Sequence, residues 1–265
     1  MISEYRKVNG NKDATPNTIT YNSVLDAHAR RGDIEGAKFV WEMMKEDFNA
    51  GNTNGAVPNI RTYNILIGAY AKSSNDRSNS PNEAELLLKE MLHLYSKEEL
   101  DEGPDTITYS GVINCWAKSD RPESPQRALE ILKAMAAGAA TNEKIRPNTI
   151  TYAAVMDAHA RQGDIEGANE VWEMMKEDFN SGNTNAKPNL TTYNILIDAH
   201  AKSGHENAPS EVEKILSEIN HRKDNGQLPE GPDKITYKSL IMCLEKYEGT
   251  EDRVRAFKME ASKKK

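Results

Sequence analysis

Nine residues after the tyrosine of each of six Thr-Tyr dipeptides stands one basic side chain: Arg30, Lys72, Lys118, Arg161, Lys202 and Lys246. A column of one sign at one spacing is what a polyanion requires, each cation meeting one phosphate. The chain as a whole carries a formal charge of −7, so the column is a local feature and not part of a generally basic surface. The same positions also suit a helix C-terminus, where basic residues complement the macrodipole. Asp26, Asp157 and Asp198 lie one helical turn before three of the cations and would limit how closely a phosphate approaches.

Other chemistry is thin. His28, His159 and His200 share a repeat position that is Tyr70, Trp116 or Leu244 elsewhere, and such interchange marks a packing site, not a metal or catalytic one. Asp33-Ile34-Glu35 and Asp164-Ile165-Glu166 pair carboxylates, but at a helix start the macrodipole accounts for them. The chain has no zinc-deaminase signature, no Gly-rich phosphate loop and no nucleophile motif. No catalytic residue, metal or cofactor is expected, and no enzyme.

The tyrosines sit in a recurring phrase of Pro, then Asn or Asp, two variable residues, then Thr-Tyr. Pro16-Asn17-Thr18-Ile19-Thr20-Tyr21 returns unchanged at Pro147 to Tyr152, and shorter echoes begin at Pro58, Pro104, Pro188 and Pro232. The Tyr-to-Tyr steps are 42, 46, 43, 41 and 44 residues, a period that means stacked supersecondary units. The chain therefore divides into residues 1–17, the end of an incomplete repeat, and repeats 18–59, 60–105, 106–148, 149–189 and 190–233. Residues 234–265 form a last repeat that is incomplete or capping.

Within a repeat, Tyr21, Val24, Leu25 and His28 form one stripe of a first helix, A. Gly32 ends it, Asp33 is an N-cap, and Ala37, Val40, Trp41 and Met44 form the stripe of a second helix, B. Neither helix can bury its stripe alone, so the fold is an all-α solenoid of stacked antiparallel helix pairs. Ile19, Asn22, Asp26, Ala29 and Arg30 fall on a second face of helix A that this core does not need. The polar stretches Asn49 to Ala56 and Asn180 to Ala186 are loops or an extra turn. Cys115 and Cys243 lie in apolar patterns of different repeats and read as reduced core thiols, favouring a reducing compartment. No apolar run approaches the roughly 20 residues of a membrane span, and Met1 to Thr15 is neither a secretory signal nor a transit peptide.

Pro-[Asn/Asp]-x-x-Thr-Tyr-Asn-x-Leu-Ile, best seen from Pro58 to Ala71 and Pro188 to Ala201, resembles the pentatricopeptide repeat family. The repeats are longer than that family's usual length of about 35 residues; the excess lies before each Pro, at Ser73 to Pro81 and around Asp120 to Pro125. The resemblance implies a right-handed superhelix that binds single-stranded RNA, with a mitochondrial or plastid location; otherwise the location is cytoplasmic. It implies that the residue after the Tyr, with the Asn or Asp closing the same repeat, reads one base. An Asp carboxylate matches the uracil N3 donor, and an Asn amide matches a cytosine or adenine ring nitrogen. On that basis Asn22 with Asn59 implies cytosine, Asn64 with Asp105 uracil, Ser110 with Asn148 adenine, and Asn194 with Asp233 uracil. Ala153 with Asn189 has lost a hydrogen-bonding group, and Lys238 is not a normal reader. The implied ligand is C-U-A-N-U, its bases sandwiched by Ile19, Arg61, Ile107, Ile150, Thr191 and Ile235. Against this stands the view that Pro-Asn and Pro-Asp are only helix starts. The alternative function is a protein-binding scaffold of the same fold. No membrane partner is expected.

Overall fold

The fold is that of a computed structural model, which describes residues 16–50, 56–72 and 80–264. The expected features within 1–15, 51–55 and 73–79, including most of the Ser73 to Pro81 insertion, lie outside the described residues. Each Pro-Asn or Pro-Asp phrase starts a helix by the same device. The proline cannot continue a helix, and the next side chain turns its Oδ1 onto the backbone N–H of the Thr three residues on. These bonds run from Thr20, Thr62, Thr108, Thr151, Thr192 and Thr236, at 2.8–3.1 Å. In four of the six the Thr hydroxyl also accepts the cap's own N–H, closing a reciprocal box.

Twelve α-helices follow among the described residues. They are α1 (Thr18–Arg30) and α2 (Ile34–Asn49), α3 (Ile60–Lys72) and α4 (Ser80–Ser96), α5 (Thr106–Ala117) and α6 (Ser124–Ala139). Next come α7 (Thr149–Gln162) and α8 (Ile165–Asn180), α9 (Leu190–Ser203) and α10 (Ala208–Asp224), α11 (Lys234–Leu244) and α12 (Glu251–Ser262). Odd-numbered helices are the A helices and even-numbered ones the B helices. They fall into two compact units, Met1–Cys115 and Trp116–Lys265. In the first unit α1 packs on α2 and α3, and α3 packs on α4. In the second, α7 packs on α8 and α9, α9 on α10 and α11, and α11 on α12. Within their units, α1, α7 and α9 thus each meet their own B helix and the A helix of the next repeat.

Connections between A and B are short, which forces the pair antiparallel. After α1, Gly32 takes φ +69°, and after α7, Gly163 takes φ +72°. A side chain there would be strained, and at Gly163 it would also press on the Lys202 carbonyl oxygen at 3.3 Å. Asp33 and Asp164 then cap the B helices through the N–H of Gly36 and Gly167, each at 2.9 Å.

The core is built from the Thr-Tyr tyrosines and the B-helix stripe. Tyr21, Tyr63, Tyr152 and Tyr193 are fully buried, as are Ala37, Met44, Ala168 and Met175. Trp41 of α2 meets Tyr63 edge-on at 5.2 Å, and Trp172 of α8 meets Tyr193 at 4.9 Å, so a B helix contacts the following A helix as well. Each of these tyrosines donates its phenol to a carboxylate on its own B helix: Tyr21 to Asp47, Tyr63 to Glu90, Tyr152 to Asp178 and Tyr193 to Glu218.

The stretch Asn180 to Ala186 holds added structure, whereas most of Asn49 to Ala56 lies outside the described residues. The B helices extend to 16 or 17 residues, and a short turn follows in two repeats, Glu143–Ile145 and Thr184–Ala186. Among the described residues, one apolar residue two or four places before the Pro is buried in five repeats: Ala56, Leu100, Ile145, Ala186 and Leu228. Asn183 ties the fourth connector down by donating to the Pro147 carbonyl at 2.8 Å. Thr149 and Thr18 donate their hydroxyls to the connectors at Lys187 and Val57, at 2.8 and 2.7 Å.

A Cβ at Gly167 would overlap the buried ring of His159, whereas one at Gly68 would meet nothing. Gly167→Ala is expected to destabilise the chain by about 1–3 kcal/mol in urea unfolding. Gly68→Ala is expected to be neutral or to stabilise by up to about 1 kcal/mol.

Candidate functional site

The cap that starts one A helix also reaches back to the preceding A helix. Asn64 Nδ2 donates to Asp105 Oδ1 at 3.3 Å, and Asn194 Nδ2 donates to Asp233 Oδ1 at 3.3 Å. Asn22 Nδ2 makes the corresponding bond to Asn59 Oδ1 at 3.4 Å. Three of the residue pairs expected to act together are therefore in direct contact. Capping also decides which atom of each cap remains. Because Oδ1 is committed to the helix N-terminus, Asp105 and Asp233 keep Oδ2, an acceptor, and Asn59, Asn148 and Asn189 keep Nδ2, a donor.

Between α1 and α3 lies a cleft of about 410 Å³. Asn64 and Asp105 line it together with Arg61, Ile107, Lys72 and Asp26. Arg61 and Ile107 are side chains of consecutive repeats at one register, flanking the polar pair. That register is exposed throughout: Ile19, Ile107, Ile150 and Ile235 are 60–76% exposed, and Arg61 and Thr191 are exposed too. Four isoleucines held in water at equivalent positions are not explained by packing.

The basic column divides in two. Arg30, Arg161 and Lys202 are paired with the carboxylate one turn earlier, on Asp26, Asp157 and Asp198, at 2.7, 3.1 and 2.6 Å. Arg161 and Lys246 also donate to the carbonyls of Ala117 and Ala201, near the end of the preceding A helix. Lys72 and Lys118 are exposed and have no ion-pair partner among the described residues. The cause is readable: four residues before them stand Gly68 and Asn114 instead of Asp.

Repeat-family models match residues 16–72 and 147–202, and a single-repeat model matches 191–219. The chain belongs to the pentatricopeptide repeat family. It is 28% identical over 162 residues to the Arabidopsis thaliana pentatricopeptide repeat-containing protein At5g25630, covering 61% of this chain and 25% of that one. It is 28% identical over 168 residues to the Arabidopsis chloroplastic relative At3g09650, covering 63% of this chain and 18% of that one. The chain thus spans about a quarter or less of the length of these relatives. Among solved structures it is similar to the pentatricopeptide repeat domain of Arabidopsis protein-only RNase P 1, in complex with tRNA. The TM-score is 0.54 at 17% identity, over 89% of this chain and 95% of that one.

The remaining site positions of this pentatricopeptide array are less regular. Ser110 is half-buried on α5, and Asn148 caps α7. Ala153, half-buried on α7, offers only a methyl, Asn189 caps α9, and Lys238 is exposed on α11. The second face of helix A is more enclosed than its polarity implies. Asn22 is 5% and Ala29 4% exposed, because that face packs against the next A helix. Two of the shared histidines are engaged as well as packed: His28 and His159 meet the second carboxylate oxygen of Asp33 and Asp164 at 2.7 Å. Those aspartates thus grip helix A in addition to capping helix B. The described residues hold no cluster suited to a metal and no helix long and apolar enough to cross a membrane.

Burial opposes ionisation of Asp233, but the Thr236 N–H, with the Asn194 amide and the Ile235 N–H, outweighs it and holds its pKa below the ordinary aspartate value. A depressed carboxylate contributes stability that is present above its unfolded pKa, about 3.9, and is lost as pH falls through the folded value. Melting temperatures recorded from neutral pH to about pH 2 should therefore drop less steeply on the acid side for Asp233→Asn than for the wild type.

Proposed function

We propose that the chain binds single-stranded RNA along its A helices, one base per repeat, and acts by occupying an organellar transcript during processing, stabilisation or translation. The observation that carries this reading is the cleft between α1 and α3. Its lining combines an exposed guanidinium and an exposed isoleucine, suited to stacking on a base, an acceptor left over from capping on Asp105 with the Asn64 amide beside it, and a cation, Lys72, with no ion-pair partner among the described residues. A base between Arg61 and Ile107 would meet Asp105 Oδ2, which can accept only; uracil N3–H supplies the donor, whereas cytosine N3 would face it with a lone pair. Asn59, keeping Nδ2, suits the cytosine ring nitrogen. On this basis the chain prefers C-U-A-N-U, with Ser110 and Asn148 leaving room for adenine and Ala153 indifferent. Support for RNA as ligand comes from the related domain in complex with tRNA. Support for an organelle comes from relatives named as chloroplastic and mitochondrial.

A second reading, a protein-binding scaffold, is favoured by one observation: four of the six cations in the basic column are already engaged within the protein.

The experiment is selection of the purified chain on a randomised single-stranded RNA pool at two salt concentrations, followed by affinity measurements on variants. Enrichment of C-U-A-N-U is expected. Lys72→Ala and Lys118→Ala should each lower the slope of log affinity against log salt by about 0.7, while Arg30→Ala and Lys202→Ala leave it nearly unchanged. Salt-sensitive binding without enrichment discards base reading, and no binding favours the scaffold.

A further inference from the structure

We propose that Thr108 and Thr236 are positioning residues that lock the amides of Asn64 and Asn194, making the second and fifth base positions sharply selective for uracil. The inference rests on the RNA reading above. Each Thr is the third residue of its helix and would ordinarily be assigned to capping alone. Its hydroxyl oxygen accepts the N–H of its own cap, from Asp105 at 3.2 Å and from Asp233 at 3.1 Å. The single hydroxyl hydrogen then has two acceptors within reach. At Thr108 these are Asn64 Oδ1 at 2.7 Å and Asp105 Oδ1 at 2.9 Å; at Thr236 they are Asn194 Oδ1 at 2.7 Å and Asp233 Oδ1 at 2.8 Å. In both repeats the amide of the preceding repeat is the nearer.

An amide held at both ends has one orientation. With Oδ1 on the Thr hydroxyl and one Nδ2 hydrogen on the Asp carboxylate, the atoms left are the second Nδ2 hydrogen and Asp Oδ2. A donor beside an acceptor is the complement of a uracil edge, whose carbonyl accepts and whose N3–H donates. Cytosine presents the opposite order. The Asp carboxylate opposes its N3 lone pair, and relieving the further clash between its N4 amino group and Nδ2 requires the amide to turn, which breaks the Thr bond and brings Oδ1 toward the carboxylate.

The first repeat supplies an internal contrast. Thr62 directs its hydroxyl to Asn59 Oδ1 at 3.1 Å. Asn22 is held only by its 3.4 Å bond to Asn59, and its Oδ1 is buried with no hydrogen-bond partner among the described residues. The same Thr in the same cap therefore does nothing for the reading amide there.

The test uses the full chain as wild type, the double variants Thr108→Val/Thr236→Val and Thr108→Ser/Thr236→Ser, and Thr62→Val. Binding is measured to C-U-A-A-U and to C-C-A-A-C, with melting temperatures for every variant. The Val double variant should lose about tenfold in its preference for the uracil RNA, the Ser variant should keep it, and Thr62→Val should leave it unchanged although it breaks the same kind of cap. Retention of the preference in the Val variant, or its loss in the Ser variant, overturns the positioning role while leaving base reading intact. A wild type that binds both RNAs equally overturns base reading, and the positioning role with it.

Discussion

The hydrogen bond from a Thr N–H to the side-chain oxygen of Asn or Asp three residues earlier is the interaction on which the rest of the molecule depends. It fixes where each A helix begins, and so places the next residue, Tyr, at the first buried position of the stripe. From there the phenol reaches a carboxylate on the B helix, and the ring meets the Trp of the preceding B helix where there is one. The same cap side chain touches the previous A helix through its Asn. One residue thus sets helix register, pair geometry and the contact between repeats. That capping and ligand reading looked like rival explanations of Pro-Asn and Pro-Asp is a consequence of treating the side chain as a unit. It has two polar atoms, and capping occupies one.

Electrostatics follow the same economy. The array is acidic overall, yet its basic column is not uniform, since an aspartate one turn away neutralises the cation in repeats one, four and five. Exposed pairs of this kind contribute little to stability, so their main consequence is a smaller field. With Gly68 and Asn114 in place of that aspartate, Lys72 and Lys118 have no ion-pair partner among the described residues, and the field of the column is strongest beside them.

Much of this was legible in the sequence. The six phrases gave the period, the 3-1-3 spacing gave both stripes, and the buried Tyr and Met positions match them. The register of exposed isoleucines could be named from alignment alone. What could not be read were relations that depend on which neighbour an atom chooses. The spacing of Asp26 and Arg30 allows a pair or a repulsive ladder, and only geometry shows the pair. Asp47 lies three residues after Met44 and Glu90 one before Met91, positions one turn apart on the same face, so the shared phenol partner is hidden by a shift in register. Asn22 looked like surface because its side chain is polar, but packing of consecutive A helices encloses it.

The long repeats raise the question of whether a one-base pitch can survive them. Pitch along the A helices is set by what lies between consecutive A helices, not by the number of residues in the repeat. The additional residues extend the C-terminal ends of the B helices and close with a buried plug such as Ala186 or Leu228, two or four residues before the Pro. Asn183, gripping the Pro147 carbonyl and the Asp178 carboxylate together, folds that excess back onto its own repeat. The Pro of the next phrase is therefore delivered to the same place relative to the preceding A helix, as the direct bonds from Asn64 to Asp105 and from Asn194 to Asp233 require. A longer repeat thickens the wall formed by the B helices and leaves the A-helix contacts that would space the bases unchanged.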